Sequence, residues 1–435
     1  MAGLNSLKPK AEGNKLAFAA LLTAFMVDFL GYAYIVPILP AWKEQFALSS
    51  IEATALVSIW ALPLLILGPI SGRLTDKFGA GRVISVSIIM LIGASLLYLV
   101  ATEELLESTI PGSGFWVLVF ARFFHGVSGA AVLTAGLAAA SQLWPQNFGE
   151  SAGSLIGMAT VGGLMGPVIG GWAFEIGASS AFLLLAGITF LALPIVLYAS
   201  SAIGHGESST GIEQVPIKEF IAHPILLRIG LLIMFSALAT GALEAGVPLL
   251  LSEPPMNMGP GQISLVLLFL VMLQGIGGWW WGRLVDRTEP TRWMLVGWTG
   301  VITGLIAAGV ISSSIDSKVG ILLIVGMLGI FQFSVAAAQI PMLPMIDAAT
   351  TRAYGRGSAG LAFGAFGTAW AAGTLIGPLF IGALHDLTNE WSLSLGLLAI
   401  PGVCGMFMTL SNRNELRSCY SEEMQRRAQI SDEAE

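Results

Sequence analysis

The chain has 435 residues, of which 55% are apolar and only 11% charged, and its formal net charge is -7. Soluble globular proteins have about 25% charged residues, so this chain lacks the ionic groups that a water-facing surface of its size needs. Its mean hydropathy is +0.80, and long apolar segments recur from end to end. These features exclude a soluble domain on a single anchor and indicate an integral membrane protein. They give no indication of a nucleic-acid partner.

Twelve segments are long and apolar enough to cross a bilayer, because a spanning helix needs about 20 mostly apolar residues. They lie at approximately 15–40, 51–72, 82–101, 115–141, 151–173, 179–200, 225–251, 262–282, 292–312, 318–341, 358–384 and 392–411. We therefore predict an all-α membrane protein with 12 transmembrane helices, named spans 1 to 12 in chain order.

Lysine and arginine are distributed unevenly between the loops. With the N-terminus on the cytoplasmic side, 17 of the 20 Lys and Arg residues fall on that side, and only Lys43 and Lys318 fall on the outer side. Arg122 lies within span 4. This positive-inside bias predicts that both termini are cytoplasmic.

The sequence contains an internal repeat. GRLTDKFGAGR (72–82) follows span 2 and GRLVDRTEPTR (282–292) follows span 8, and Gly166 of span 5 has a counterpart at Gly377 of span 11. Offsets of 210 and 211 residues predict two homologous six-helix halves, which in parallel-repeat transporters enclose the substrate near the midplane. The predicted divisions are a cytoplasmic tail at 1–14, an N-terminal half at 15–200, a cytoplasmic linker at 201–224, a C-terminal half at 225–411 and a cytoplasmic tail at 412–435.

Over nearly its whole length the chain resembles the major facilitator superfamily. That family has a motif in the loop between spans 2 and 3, called here the 2–3 loop, which reads Gly-x-x-x-Asp-Arg/Lys-x-Gly followed by two basic residues. In this chain Ala80 and Gly81 replace the two basic residues. The resemblance implies a cytoplasmic gate formed by Gly72, Asp76, Lys77, Gly79 and Arg82, together with Asp286 and Arg287 of the second copy. A loop that only sets the topology is the alternative.

Span 5 contains GGLMGPVIGG (162–171), which is similar to the glycine- and proline-rich motif of the antiporter branches. Small residues let helices approach closely, and a proline inside a helix permits bending. The resemblance favours antiport over symport, and plain helix packing is the alternative. The motif residues are Gly162, Gly166, Pro167, Gly170 and Gly171.

Span 4 contains ARFFHGVSGAA (121–131), which resembles an Arg-x-x-Gln-Gly-x-Gly stretch of the family, with His125 in place of the glutamine. A guanidinium that faces lipid costs about 2.5–3.5 kcal/mol, so Arg122 should face a cavity or a carboxylate. His125 is three residues further on and shares its face. Histidine titrates near neutral pH and could relay protons, or it could simply hold helices together.

Two carboxylates are predicted within the membrane. Asp28 lies in AFMVDFLGYAYIVPILP (24–40) of span 1, about 20 Å along the helix, and Glu244 lies at a similar predicted depth in span 7. Each could bind a substrate cation, hold a proton, or pair structurally with Arg122. Burial favours a neutral carboxyl group and a nearby cation favours an ionised one, so a single carboxylate can exchange a proton for a cation.

VDFLGYAYIVPILP (27–40) and ALEAGVP (242–248) resemble the vesicular amine transporters and their drug:proton antiporter relatives. The resemblance implies that Asp28 recognises an amine and that Glu244 takes part in binding and coupling. The large loop after span 1 of the vesicular branch is missing, and Ala336 and Gly364 stand near two of its aspartates. These departures favour an exporter of the plasma or bacterial inner membrane.

We therefore expect a monomeric, proton-coupled antiporter that exports a small amphiphilic organic cation, drug or metabolite and needs no cofactor. Its partners are the substrate, protons and the lipid bilayer. An uptake symporter or facilitator, and a non-transporting receptor of the same fold, are the alternatives; a membrane enzyme is the weakest option. Aromatic and amide side chains that could line the pocket are Tyr32, Trp60, Phe123, Gln274, Phe331, Gln332, Gln339 and Trp370.

Overall fold

The computed structural model describes residues 8–103, 109–110, 112–144, 148–203, 218, 222–285, 288–313, 318–354 and 359–434, and the regular elements within these ranges are helices. The helices used below are α1 (Lys8–Tyr34), α2 (Leu39–Gln45), α3 (Ser50–Phe78), α4 (Ala80–Thr102), α5 (Ser113–Leu143), α6 (Phe148–Ile176), α7 (Ala178–Ile203), α8 (Pro224–Ser252), α9 (Pro260–Val285), α10 (Pro290–Ser312), α11 (Lys318–Gln339), α12 (Met342–Tyr354), α13 (Ala359–Thr388), α14 (Trp391–Ser411) and α15 (Arg413–Ala434).

Twelve helical segments of the described chain are long and apolar enough to cross a membrane, which confirms the predicted fold. Two of them contain a break in the helix. The first runs from Lys15 to Gln45, because a 3-10 turn at Val36–Ile38 joins α1 to α2 around Pro37. The tenth runs from Val319 to Tyr354 and includes the break at Pro341 between α11 and α12. Both breaks lie at a proline, which has no N–H to continue the helix.

The chain divides into two compact units. The first unit comprises Met1–Ala47, Ile59–Glu213 and Gly259–Ser264, and the second comprises Leu48–Ser58, Gln214–Met258 and Leu265–Glu435. The first turns of α3 therefore belong to the second unit, and the first turns of α9 belong to the first.

In the first unit, α6 packs closely on α1 through the glycines that the sequence singled out. A Cβ atom added at Gly162, Gly166 or Gly170 would lie between 2.1 and 2.5 Å from a backbone oxygen of α1, that of Met26, Leu30 and Tyr34 respectively. Real Cβ atoms do not approach an oxygen so closely, so only glycine allows this contact. The motif of span 5 thus fixes the helix that contains Asp28.

The second unit repeats this packing between α13 and α8. A Cβ atom at Gly373 would lie 2.4 Å from the Met234 oxygen, and one at Gly377 would lie 2.2 Å from the Leu238 oxygen. The glycines are offset from Gly162 and Gly166 by 211 residues. The backbone oxygens that they contact, those of Met234 and Leu238, are offset from those of Met26 and Leu30 by 208 residues. In the packing, a residue of α1 therefore corresponds to the residue of α8 that is 208 positions further on.

The last described segment is the helix α15, where the sequence predicted only a tail. Leu416, Cys419 and Tyr420 are buried on one face of α15 and belong to a hydrophobic cluster of the second unit. Their spacing of three and four residues is the apolar stripe of a packed helix. That spacing was the signal in the sequence that could have predicted α15.

Three ion pairs hold α15 against other helices of the second unit. Arg352 of α12 donates to Glu422 at 2.6 Å, Arg413 donates to Glu289 at 2.7 Å, and Arg228 of α8 pairs with Glu415. The hydrogen bonds from Arg413 and Arg352 lower the pKa of Glu289 and of Glu422 respectively. These carboxylates therefore stabilise the docked helix above their ordinary pKa, and that contribution disappears as the pH falls through their lowered values.

Cys419 can report on the docking of α15. Burial raises the pKa of its thiol to about 11, so little thiolate exists near neutral pH and alkylation of the docked helix should be slow. In a Cys404→Ser background, Arg352→Ala should speed maleimide labelling of Cys419 by roughly tenfold, because the variant removes one of the ties on α15. Arg73→Ala, at an exposed position of α3, is the control. Equal labelling rates in the two variants would show that Arg352 does not hold α15.

Candidate functional site

Asp28 is buried in α1 and contacts a histidine of α5. Its side chain is 1% exposed and that of His125 is 0% exposed. His125 Nε2 lies 3.5 Å from Asp28 Oδ1 and 3.2 Å from the Asp28 backbone oxygen. A Cβ atom at Gly31 would lie 3.1 Å from His125 Cε1, so glycine at this position gives the imidazole room beside α1.

His125 is connected on its other side to Tyr98 and Arg122. Tyr98 Oη lies 3.5 Å from His125 Nδ1. Arg122 Nη1 lies 3.5 Å from Tyr98 Oη and also 3.5 Å from the backbone oxygen of Tyr32. Arg122 is fully buried, as the cost of a guanidinium in lipid predicts. The four polar side chains thus form a row in the order Arg122, Tyr98, His125, Asp28.

Tyr98 is the member of this row that the sequence analysis missed. It lies in span 3, where the sequence predicted no pocket or coupling residue, and it is fully buried in α4. A tyrosine hydroxyl in the interior usually has a hydrogen-bond partner. A tyrosine one turn after Ser95, within an otherwise apolar span, was the available signal.

Aromatic rings line the site next to Asp28. The rings of Tyr32 and Trp60 are 4.2 Å apart between centroids, and Arg122 Cζ lies 5.3 Å from the Tyr32 ring. Trp60 is also in edge contact with His125, at 6.4 Å between centroids. Aromatic faces attract cations, so these rings and Asp28 together suit an organic ammonium group.

Two polar groups of this site are buried without a hydrogen bond. Within the described residues, neither carboxylate oxygen of Asp28 accepts a hydrogen bond, and Trp60 Nε1 donates none. A Cβ atom at Gly129 would lie 3.0 Å from Asp28 Oδ2 and 3.2 Å from Trp60 Nε1. An unsatisfied buried group costs about 1–3 kcal/mol, and such groups call for an explanation such as a binding role.

Glu244 is partly buried in α8 of the second unit. The packing of glycines on α1 and α8 gives an offset of 208 residues, which makes Ser236 the counterpart of Asp28. Glu244 lies eight residues further on, about 12 Å along the helix. In the register set by these glycine contacts the two carboxylates lie at different levels of their helices, whereas the sequence analysis expected a similar depth.

Two predicted pocket amides of α11 also contain unsatisfied atoms. Gln332 is 7% exposed, and within the described chain its Oε1 has no hydrogen-bond partner; the same holds for Nε2 of Gln339. The two residues are seven positions apart, so both lie on one face of α11. They remain the best candidates for substrate contacts in the second unit.

The other predicted pocket residues have different surroundings. Phe331 is fully buried and packs against α10 at Gly304, and Trp370 stacks on Phe366 at 5.8 Å within a hydrophobic cluster. Phe123 and Gln274 are partly buried. Packing accounts for Phe331 and Trp370 without a ligand.

The 2–3 loop has a physical reason for its departure from the family motif. Gly79 has φ +87°, which favours glycine, and it ends α3 directly before α4. A Cβ atom at Gly81 would lie 2.0 Å from the Ser200 oxygen of α7, so a basic side chain would not fit there. Gly72 is partly buried, whereas Asp76, Lys77 and Arg82 are exposed. Asp286 and Arg287 lie outside the described residues.

Comparison with known proteins gives the family. The model of the Major Facilitator Superfamily matches residues 21–342. The chain belongs to the major facilitator superfamily. Its similar relatives include the class B tetracycline resistance protein of Escherichia coli. The two are 29% identical over a region that covers 66% of this chain and 69% of the length of that protein. The MFS-type transporter SLC18B1 of Homo sapiens is 25% identical over 89% of this chain and 85% of its own.

Two further comparisons cover almost the whole chain. The quinolone resistance protein NorA of Staphylococcus aureus is 23% identical over 93% of this chain and 99% of its own. A solved bacterial homologue of the human lysosomal transporter Spinster, inward-facing and unoccupied, superposes with a TM-score of 0.67 at 15% identity, over 95% of this chain and 97% of its own. This major facilitator protein is thus a multi-pass membrane transporter and not an enzyme.

Proposed function

We propose that this transporter is a proton-coupled antiporter that exports a small amphiphilic organic cation. The observation that supports it most is the buried carboxylate of Asp28, which accepts no hydrogen bond within the described structure and lies beside aromatic rings. A carboxylate with aromatic neighbours is the environment that an organic ammonium ion prefers. The tetracycline and quinolone relatives are both named as resistance proteins, which favours export.

The exchange follows from the chemistry of one carboxylate. A buried carboxylate needs either a proton or an opposite charge, because an ionised group that has lost its hydration is costly. An arriving cation replaces the proton, since it supplies the opposite charge itself. A carboxylate with neither a proton nor a cation is unstable, and one carboxylate cannot hold both at once. The proton and the cation therefore occupy Asp28 in turn.

His125 gives the released proton a path. A backbone carbonyl only accepts, so Nε2–H is the donor to the Asp28 backbone oxygen in this arrangement. Once that hydrogen has moved to Nδ1, which faces the Tyr98 oxygen, Nε2 can accept the proton from Asp28 Oδ1, 3.5 Å away. Arg122 lies beside Tyr98 at the far end of this row of polar side chains. Glu244, in the second unit, is a further carboxylate for the cation or a second proton.

His125→Gln is a test of this relay. Glutamine can still donate to the Asp28 backbone oxygen, but it cannot take up a proton. We expect cation affinity to change by less than about threefold, whereas cation-driven proton movement slows by about 100-fold, the usual contribution of general acid–base transfer. Both quantities can be measured on one reconstituted preparation. Proton movement at the wild-type rate in His125→Gln would remove His125 from the path.

The proposed function is tested with proteoliposomes that contain a pH-sensitive dye and hold an imposed pH gradient. A panel of organic cations and neutral metabolites is added from the substrate side. Antiport predicts proton movement that is triggered by cations and is absent for neutral compounds. Movement of protons and solute in the same direction would indicate a symporter, and binding without flux would indicate a receptor.

A further inference from the structure

The start of α3 is held by a carboxylate at the end of α13, within the second unit. Asp386 Oδ1 accepts a hydrogen bond from the Ser50 N–H at 2.8 Å, and Oδ2 accepts one from the Ile51 N–H at 2.9 Å. One turn earlier, a Cβ atom at Gly382 would lie 2.2 Å from Thr54 Oγ1. The carboxylate caps the helix, and the glycine lets the two helices touch.

The start of α9 is held in the same way at the end of α6, within the first unit. Glu175 Oε1 accepts a hydrogen bond from the Gly261 N–H at 2.8 Å. One turn earlier, a Cβ atom at Gly171 would lie 2.0 Å from Ser264 Oγ, and this hydroxyl donates to the Pro167 oxygen at 2.6 Å. Carboxylates are favourable at helix N-termini, where N–H groups are unpaired and the helix dipole is positive.

The two contacts, named here the Asp386 clasp and the Glu175 clasp, are copies of one another in the internal repeat. The carboxylates are 211 residues apart, and so are the glycines one turn before them. The capped positions Ile51 and Gly261 are 210 apart, and so are the hydroxyl-bearing Thr54 and Ser264. The same arrangement therefore recurs in both halves of the sequence, each time between a helix of one half and a helix of the other.

The Asp386 clasp has additional side-chain contacts. His385 Nδ1 lies 2.9 Å from Ser50 Oγ, and the imidazole stacks on Trp391 at 4.1 Å between ring centroids. Trp391 Nε1 donates to Glu253 Oε2 at 2.6 Å, and the same oxygen lies 3.6 Å from His385 Nε2. This clasp should therefore be the stronger of the two.

Both clasps lie at the loop ends opposite the side of the termini, as the alternation of 12 spans requires. Alternating access moves the six-helix halves of a major facilitator transporter against one another. Helix ends that come from different halves and meet on one side must then separate whenever that side opens. We propose that the two clasps are the releasable outer closure of this transporter, with Asp386 and Glu175 as positioning residues. This inference rests on the proposed transport cycle.

A reversible cross-link distinguishes a releasable clasp from a static helix cap. In a Cys404→Ser/Cys419→Ser background, the pair Ser50→Cys/His385→Cys places two thiols in the Asp386 clasp. These two side chains already meet, at 2.9 Å between Ser50 Oγ and His385 Nδ1, so a disulfide can form after a small shift. The control pair is Val301→Cys/Gly402→Cys, because a Cβ atom at Gly402 would lie 3.2 Å from Val301 Cγ1 and its nearest neighbours are side-chain atoms only. That pair joins α10 to α14 within one half, so its disulfide should be tolerated. Peptide mass spectrometry verifies both disulfides.

Two readouts are taken, and one of them needs no substrate. The clasp disulfide should reduce cation-driven flux to below about a tenth and slow amide exchange at residues 50–51 by roughly tenfold, and reducing agent should restore both. The control disulfide should change neither. Asp386→Asn should speed exchange at the same amides by roughly tenfold, the usual loss of a helix cap, whereas Asp386→Glu should retain slow exchange.

Flux and amide exchange that are both unchanged by the clasp disulfide would overturn the inference, since the contact would then be a static cap. Loss of flux in the control pair as well would also overturn it, because any added restraint would then stop transport. If no cation drives flux in the wild type while the disulfide still slows exchange, the clasp stands and the proposed function fails.

Discussion

Asp28→Asn is expected to abolish cation-driven proton movement in proteoliposomes while the protein folds normally. Asparagine has nearly the same shape as aspartate, so the packing of α1 is retained, but it can neither ionise for a cation nor hold an exchangeable proton. Loss of a charge-assisted contact of about 1.5–3 kcal/mol weakens cation binding by roughly 10- to 100-fold, and loss of the proton site uncouples whatever binding remains. The measurement is dye-reported proton flux at saturating cation, with thermal unfolding in detergent as the check on folding.

Glu44→Gln is the matched control for this variant. Glu44 is an exposed carboxylate in the same membrane span, at the end of α2, and its neutralisation should leave proton flux within about twofold. If Asp28→Asn transports as fast as Glu44→Gln, Asp28 is a structural residue and the exchange site lies elsewhere, with Glu244 as the next candidate.

Gly166→Leu should prevent the first unit from assembling. A Cβ atom at Gly166 would lie 2.5 Å from the Leu30 oxygen, so a leucine has to push α6 away from α1. Added core atoms cost about 1–3 kcal/mol even where neighbours can adjust, and a backbone oxygen in a helix cannot move aside. We expect a loss of at least about 3 kcal/mol in the free energy of unfolding, seen as a fall in yield, a lower melting temperature and aggregation on size exclusion.

Gly163→Leu, in the same motif, provides the comparison. No atom of the described structure outside the helix lies within 4 Å of a Cβ atom added at Gly163, so this variant should fold like the wild type. Equal stability of the two leucine variants would contradict the close packing of α6 on α1. It would also remove the structural role assigned to the motif of span 5.

Properties that depend on one helix could be predicted from the sequence. Hydropathy alone gave the 12 spans, because the bilayer sets a minimum length of apolar helix. The burial of Arg122 followed from the cost of a guanidinium in lipid. The shared face of Arg122 and His125 followed from their spacing of three residues. The glycines of span 5 were identified as contact positions because small residues let helices approach.

Properties that depend on pairs of helices could not be predicted. The contact between His125 and Asp28 joins positions 97 residues apart, and no spacing rule reaches across helices. The packing register of α1 and α8 showed that Ser236, not Glu244, is the counterpart of Asp28. The Asp386 clasp joins positions 336 residues apart, and Asp386 lies just beyond the predicted end of span 11, where no pattern indicated a contact.

The most direct test of the account is to count protons at the moment of binding. Purified transporter in weakly buffered detergent, with a pH indicator, is mixed with a saturating amount of the cation that gives the largest response in proteoliposomes. Exchange at Asp28 predicts release of about one proton per bound cation when Asp28 is protonated beforehand, and no release from Asp28→Asn. Cation binding to the wild type without proton release would contradict exchange at a single carboxylate.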